Sequence, residues 1–437
     1  MTILWKKDGT SVDDALHRFM NSRDVEADRE LFLFDIHATA AHVRGLGRIG
    51  LLSDSDVSTL CAELSRLGDR FSNGEFLLDE RFEDAHSAIE FELTATLGEL
   101  GRRVHAGRSR NDQVQVALRL YMKDRLVRAH DHICDIAKRL LTRAEREHDV
   151  PMPGYTHLQR AVPSSAGLWL AGIAESFLDS ADACAFAHTR VDSCPLGTAA
   201  GYGVNLRLDR QGVSTELEFA RLQVNPLAVQ NARGKYELAV LDALGSALLD
   251  VRRFAWDLSL FATSEFGFVT FASEFTTGSS IMPNKRNPDV VELLRTSSAE
   301  VEGARTQIAQ TLSLPSGYQR DLQATKAPFI RAVETTLAAL VVTERLVDGF
   351  ALQHERMRAA IDADMFATDR AVELVTNGVA FRDAYLKVAR DLGALWDRTP
   401  EESLVARVSP GACADLCLDE LQARLGLAIN RLKRSPL

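Results

Sequence analysis

Cysteine is scarce in this sequence: six residues in 437, at positions 61, 134, 184, 194, 413 and 417, with no pair at Cys-x-x-Cys spacing. That excludes a disulfide-stapled scaffold and a cysteine metal ribbon, and it predicts reduced thiols in a cytoplasmic protein. Proline is also rare, at 12, and aromatic residues make up only 7%. Few helix breakers and a low Pro content argue against a disordered or linker-rich chain. No run of lysine and arginine offsets a net charge of −10, which argues against a nucleic-acid-binding surface. No apolar run approaches a membrane span, and Met1–Asp8 lacks the basic-then-apolar profile of a signal peptide. An anionic small substrate would then need a local positive pocket.

Hydrophobic residues are 46% of the chain and charged residues 26%, the balance of a helix-rich globular protein with a large core. Leu31, Phe32, Phe34, Ile36, His42, Val43 and Leu46 mark one helix face, with stop signals at Gly47 and Gly50. A second helix is expected over about 54–70, and a third opens at Asp84. From Arg108 to Val150 there is neither glycine nor proline, and Val114, Leu118, Met122, Leu126, Ile133, Ile136 and Leu140 keep helical spacing. This predicts one helix of about 40 residues, roughly 60 Å long, of the kind that belongs to a bundle. Pro163 and Ser164 are expected to start the next helix, and long helices resume at about 228–265, 288–312 and 325–355. Shorter ones follow, such as Ala367–Asn377 and Phe381–Leu392. The predicted organisation is all-α, with an N-terminal helical domain over 1–104, a central long-helix bundle over 105–354 and a small C-terminal domain over 355–437.

Five polar or glycine-rich stretches interrupt these patterns. Gly278–Asp289 (Gly-Ser-Ser-Ile-Met-Pro-Asn-Lys-Arg-Asn-Pro-Asp) must be a loop, because two prolines five residues apart forbid a continuous helix. Asn287 can cap a helix beginning with Pro288 and Asp289. Two hydroxyls, an ammonium and free backbone N–H groups lie close together there, a set able to stabilise an oxyanion or activate a serine. Gly107–Gln113 (Gly-Arg-Ser-Arg-Asn-Asp-Gln) opens the long helix, as an ordinary capped turn or as an anion-binding helix N-terminus. Met152–Arg160 places His157 beside Thr156 and Gln159 between proline-bounded ends, where a histidine can act as general acid or base. Gly317–Lys326 is polar and joins two long helices. Pro195–Gly203 is rich in glycine but lacks the strand–turn–helix context of a dinucleotide site, so it reads as an interhelical loop.

The Gly-Ser-Ser-x-Met-Pro-x-Lys-x-Asn-Pro loop resembles the signature loop of the fumarase/aspartase superfamily. His86-Ser87-Ala88-Ile89-Glu90, Gly107–Val114, Met152–Arg160 and Tyr318-x4-Gln323-x2-Lys326 are similar to the corresponding motifs of the argininosuccinate lyases, and the resemblance runs from Leu4-Trp5 to Phe381–Ala384. It implies an all-helical homotetramer whose sites are shared between subunits. It further implies cleavage of argininosuccinate to arginine and fumarate with neither metal nor organic cofactor, within arginine biosynthesis. By the same resemblance Ser279 is the base and His157 assists departure of the guanidinium nitrogen. Glu292 holds that imidazole, while Lys285 and Asn287 meet the developing charge. Substrate contacts are implied for Asp28, His86, Ser109, Arg110, Asn111, Thr156, Gln159, Arg233, Ser280, Met282, Tyr318, Gln323 and Lys326.

Two places depart from the family pattern. Asp24 stands where the common lyase pattern has serine, with Ser22 nearby, and Val229–Tyr236 lacks the usual Ser-Asp-Arg-Asp. A carboxylate at position 24 repels an anionic substrate end but can pair with a guanidinium. A related lyase releasing fumarate from another N-substituted aspartate is the alternative reading. A non-catalytic protein on the same scaffold would show erosion of Ser279, Lys285, His157 and Glu292, and all four are present.

Overall fold

The computed structural model describes residues 24–392 and 398–432; Leu4, Trp5 and Ser22 lie outside the described residues. The N-terminal part contains α1 (Phe32–Arg48), α2 (Asp54–Ser72) and α3 (Ala85–Leu97). Ser53 and Asp84 cap α2 and α3, each in a reciprocal capping box that satisfies otherwise orphaned N–H groups. Phe32, Val43, Leu46, Leu60, Leu64, Leu67 and Leu93 close a small core among them.

Five long helices form the bundle: α4 (Arg110–Arg146), α5 (Ala166–Val191), α6 (Lys235–Phe261), α7 (Asp289–Thr311) and α8 (Lys326–Asp348). With no glycine or proline inside it, α4 runs unbroken for 37 residues, a rise of roughly 55 Å. Its direction is shared by α6 and α8, whereas α5 and α7 run against it. Gly167 in the first turn of α5 lies beside the last turn of α4, and Gly245 and Gly234 of the α6 segment lie beside Val301 and Leu312. Tyr121, Phe177, Phe254 and Phe329 fill the bundle core without measurable exposure. The C-terminal part holds the helices Ala367–Thr376, Phe381–Arg390 and Pro400–Ala406; the last helix, Leu418–Ile429, returns to the bundle and adds Leu421, Leu425 and Ala428 to its core. None of the described helices is long and apolar enough to cross a membrane.

Three local expectations need correction. Pro163 and Ser164 do not start a helix; they lie in β2 (Gln159–Ser165), paired antiparallel with β1 (Pro151–Thr156), and α5 begins at Ala166 behind the Ser165 cap. Proline lacks a ladder donor, but Pro153 and Pro163 face each other in this isolated two-strand ribbon, where the missing donors matter little. Asn287 does not cap α7: it pairs with Thr277 in a short ribbon, and Pro288 takes the cap position without a side-chain bond. The helix expected over 228–265 is broken, with Pro226–Asn231 ending before Gly234 turns at φ 79° into α6.

Candidate active site

At the end of the bundle where α4 begins, five segments enclose a cavity of about 240 Å³. Among the residues lining it are Asp24, His86, Arg110, Asn111, Arg233, Tyr318, Gln323 and Lys326. The N-terminus of α4 is the capped turn that its motif allowed. Ser109 is the N-cap, accepting from the Asn111 N–H while its own N–H donates to Asp112, and Asn111 faces the cavity. Arg110 turns to Glu83 at 3.0 Å and to Asp84. Arg108 is not an anion ligand: it points into the interior and donates to Thr39 Oγ1 and the Val104 carbonyl.

Lys326, 3% exposed, holds the Asp28 carboxylate and stands 3.2 Å from Asp24. Burial alone would lower its pKa, but these two carboxylates raise it and keep it charged. Asp28 also accepts from the Ala85 N–H, so one carboxylate ties the start of α3 to the start of α8. His86 Nδ1 bonds Asp35, a residue the sequence reading passed over. Burial opposes the imidazolium, yet Asp35, with Asp84 and Asp28 behind it, raises its pKa. Burial also pushes the Asp84 carboxyl up; His86, Arg110 and the Ser87 hydrogen bonds overcome this and hold it at about 2. The wall is thus a dense set of paired charges, and Arg233 is its exception. Only 4% exposed, its Nε and Nη2 have no hydrogen-bond partner.

The remaining motif residues sit at the opposite end. β1 and β2 follow the end of α4, and their tip is His157-Leu158 with φ of 54° and 58°. Two consecutive non-glycine residues at positive φ form a strained turn that projects the histidine outward. Thr156, His157 and Gln159 are all exposed. The Gly278–Asp289 loop is at this end too, because α7 runs from it back toward Gly234 over roughly 35 Å. Within the loop the Ser279 Oγ accepts from the Met282 N–H at 3.1 Å and the Ile281 N–H at 3.4 Å. Ser280, Met282 and Lys285 are exposed around it, and Asn287 is half-buried. Glu292, in the first turn of α7, reaches Arg295 at 3.9 Å, with its side chain 54% exposed.

One chain therefore brings His86, Arg110, Asn111, Arg233, Tyr318, Gln323 and Lys326 to one cavity, with Ser109 and Asp28 bracing it. It leaves Thr156, His157, Gln159, Ser279, Ser280, Met282, Lys285, Asn287 and Glu292 at the other end. The glycine-rich Pro195–Gly203 loop follows a two-residue strand, Ser193–Cys194, which the sequence reading missed. Its Gly197 and Ala199 N–H groups donate to the Asp112 carboxylate at 2.9 and 2.8 Å, the use a phosphate would otherwise make of them. Asp35 carried a legible signal: with Thr39 and His42 it forms a polar row at helical spacing on an otherwise apolar face.

Residues 13–303 match the family model described as Lyase. An argininosuccinate lyase of Xylella fastidiosa is 56% identical over 97% of this chain and 95% of its own length. Those of Stenotrophomonas maltophilia and Xanthomonas oryzae pv. oryzae are 53% and 54% identical over 97% of this chain and 98% of theirs. Among solved structures, an EDDS lyase variant with bound fumarate has a TM-score of 0.81 at 23% identity, covering 96% of this chain and 91% of that one, and it supports the fold alone. With more than half its residues shared along nearly the full length of such relatives, the chain belongs to the argininosuccinate lyase family.

Proposed function

We propose that the chain releases fumarate from argininosuccinate at a site that no single copy completes. The observation that carries this is the separation along α4. Asn111 and its cavity lie at one end, His157 and Ser279 at the other, roughly 55 Å away. The seven residues from Pro151 to His157 reach about 25 Å even when fully extended, so the hairpin cannot fold back to the cavity of its own chain. Copies packed with their bundles antiparallel would bring opposite ends together. Leu249, Trp256, Leu293 and Phe186 are 46–72% exposed on bundle helices and would supply the apolar interface of a homotetramer. The division at 104/105 and 354/355 into three domains and a cytoplasmic location belong to the same proposal.

Ser279 takes the proton from the carbon beside a substrate carboxylate. The C–N bond then breaks, its electrons go to the guanidinium nitrogen, and His157 supplies a proton to that nitrogen. Arginine and fumarate result, and the same steps run backward. A serine alkoxide is costly in water; two N–H dipoles already point at Ser279 Oγ, and Lys285 adds a cation nearby in sequence. Charge gathering on the substrate carboxylate meets Lys285 and Asn287. Glu292, with one ion pair at 3.9 Å, keeps its carboxylate available to orient His157 of another copy. Thr156, Gln159, Ser280 and Met282 border this part, and the cavity holds the arginine half. The test is direct: purified protein with argininosuccinate should raise ultraviolet absorbance as fumarate forms, while light scattering reports four chains. Fumarate formed by a monomer would contradict the shared site.

A further inference from the structure

A larger groove, of about 760 Å³, opens at the hairpin end of the chain, against the C-terminal part. One wall is the hairpin over 155–161, although neither Thr156 nor His157 lines the groove. The other walls are the turn 265–268, the short helix His354–Ala359 and the stretch that follows it. The turn is pinned by its backbone: the Gly267 N–H donates to the Thr263 carbonyl and the Phe268 N–H to that of Phe261, both at 2.8 Å. Gly267 stands at φ 59°, and a Cβ there would strike the Arg356 guanidinium, whose Cζ is 3.1 Å from that point. Glycine therefore lets the guanidinium rest against the turn. Arg356 is thus placed, yet among the described residues it has neither a hydrogen bond nor an ion pair. The same holds for the carboxylates of Glu265, two residues before Gly267, and of Asp364, both in the lining. Arg160 and Asp362 differ, because they satisfy each other at 2.8 Å. Tyr155 and Phe266, edge to face with centroids 5.5 Å apart, are half-buried and add aromatic surface. Opposite charges held near one another but unpaired suit a ligand that carries both, as an α-amino head group does. The aromatic pair and the Asp364 carboxylate suit a long side chain with a cationic end.

We propose that this groove is a binding site for a free α-amino acid with a basic side chain, its carboxylate on Arg356, its ammonium on Glu265 and its side chain along Tyr155 and Phe266. The class of ligand follows from the groove alone. That the amino acid is arginine rests on the proposed reaction, which forms it. The hairpin that carries His157 is one wall, so an occupied groove restrains that hairpin.

Calorimetric titration of the whole protein with L-arginine, without argininosuccinate, tests the site and needs no turnover. Arg356→Gln and Glu265→Gln should each weaken one class of arginine sites by about 10- to 100-fold, the value of one charge-assisted hydrogen bond. Both variants should release fumarate at the wild-type rate when arginine is low. Asn111→Ala, in the cavity at the start of α4, should leave this class intact. Agmatine, which lacks the carboxylate, should bind wild-type protein more weakly than arginine by a similar factor, and Arg356→Gln should not weaken it further. Hydrogen exchange locates the ligand: arginine should slow exchange over 155–161 and 265–268 in wild type but not in Arg356→Gln. Arginine that binds wild type and Arg356→Gln equally would overturn the assignment. So would wild-type protein that binds no arginine, or that binds it without protecting either segment, neither of which depends on the folding of a variant. Arginine bound here by a protein that does not cleave argininosuccinate would support the site and count against the proposed reaction alone.

Discussion

His86 and Asp35, 51 residues apart in the chain, meet inside the N-terminal helices, ring nitrogen to carboxylate, at the floor of the cavity. The contact lets a fully enclosed imidazole stay protonated. Because its folded pKa is raised above the unfolded value near 6.5, the stabilisation is fully present below that value and lost as pH rises through the raised one. Asp35→Asn should therefore destabilise the protein most at about pH 6, with the difference from wild type shrinking as the pH rises through the raised value. Urea unfolding across that range measures it, and a gap that does not change with pH would contradict the charged pair. Asp84 works on the opposite side: its contribution is present above the unfolded value of 3.8 and disappears as the pH falls through about 2.

The base should be separable from its neighbour. Ser279→Ala is expected to lower kcat by about 10²- to 10⁴-fold with KM little changed, since only a group acting in the transition state is removed. Ser280→Ala should cost less than about tenfold. Steady-state kinetics on argininosuccinate decide between them, and equal losses would reverse or dissolve the choice.

Packing at the root of the hairpin gives a stability prediction. A Cβ on Gly167 would lie 2.5 Å from the His148 Cα and 2.9 Å from the Ala144 carbonyl oxygen, both backbone atoms that cannot swing away. Gly167→Ala should cost about 1–3 kcal/mol. Gly172→Ala, in the same helix with nothing within 4 Å of the added carbon, should be neutral or stabilise by up to about 1 kcal/mol. Thermal melts of the two variants check the contrast.

Much of this architecture was legible because its signals are local. Ser53, Asp84 and Ser109 each stand at the caps their sequences announce, and the unbroken run after Arg108 is the long helix. The hairpin was not legible, because a proline followed by serine reads equally as a helix start and as an edge-strand end; only the pairing of Pro153 with Pro163 decides. Asn287 was misplaced for a similar reason, its partner Thr277 lying ten residues earlier across the loop. The site residues were named by motif, but their charge states were hidden. Lys326 meets Asp28 across 298 positions, and no local pattern foretells that a lysine named as a ligand is already held.

The central claim is that one active site needs the cavity of one copy and the hairpin of another, and complementation tests it most directly. His157→Ala and Asn111→Ala proteins are prepared, each shown to be inactive, then dissociated together and reassembled. The shared site predicts that mixed oligomers regain part of the wild-type fumarate release, because some of their sites contain neither substitution. Mixed oligomers, verified by mass, that remain as inactive as their parents would contradict it.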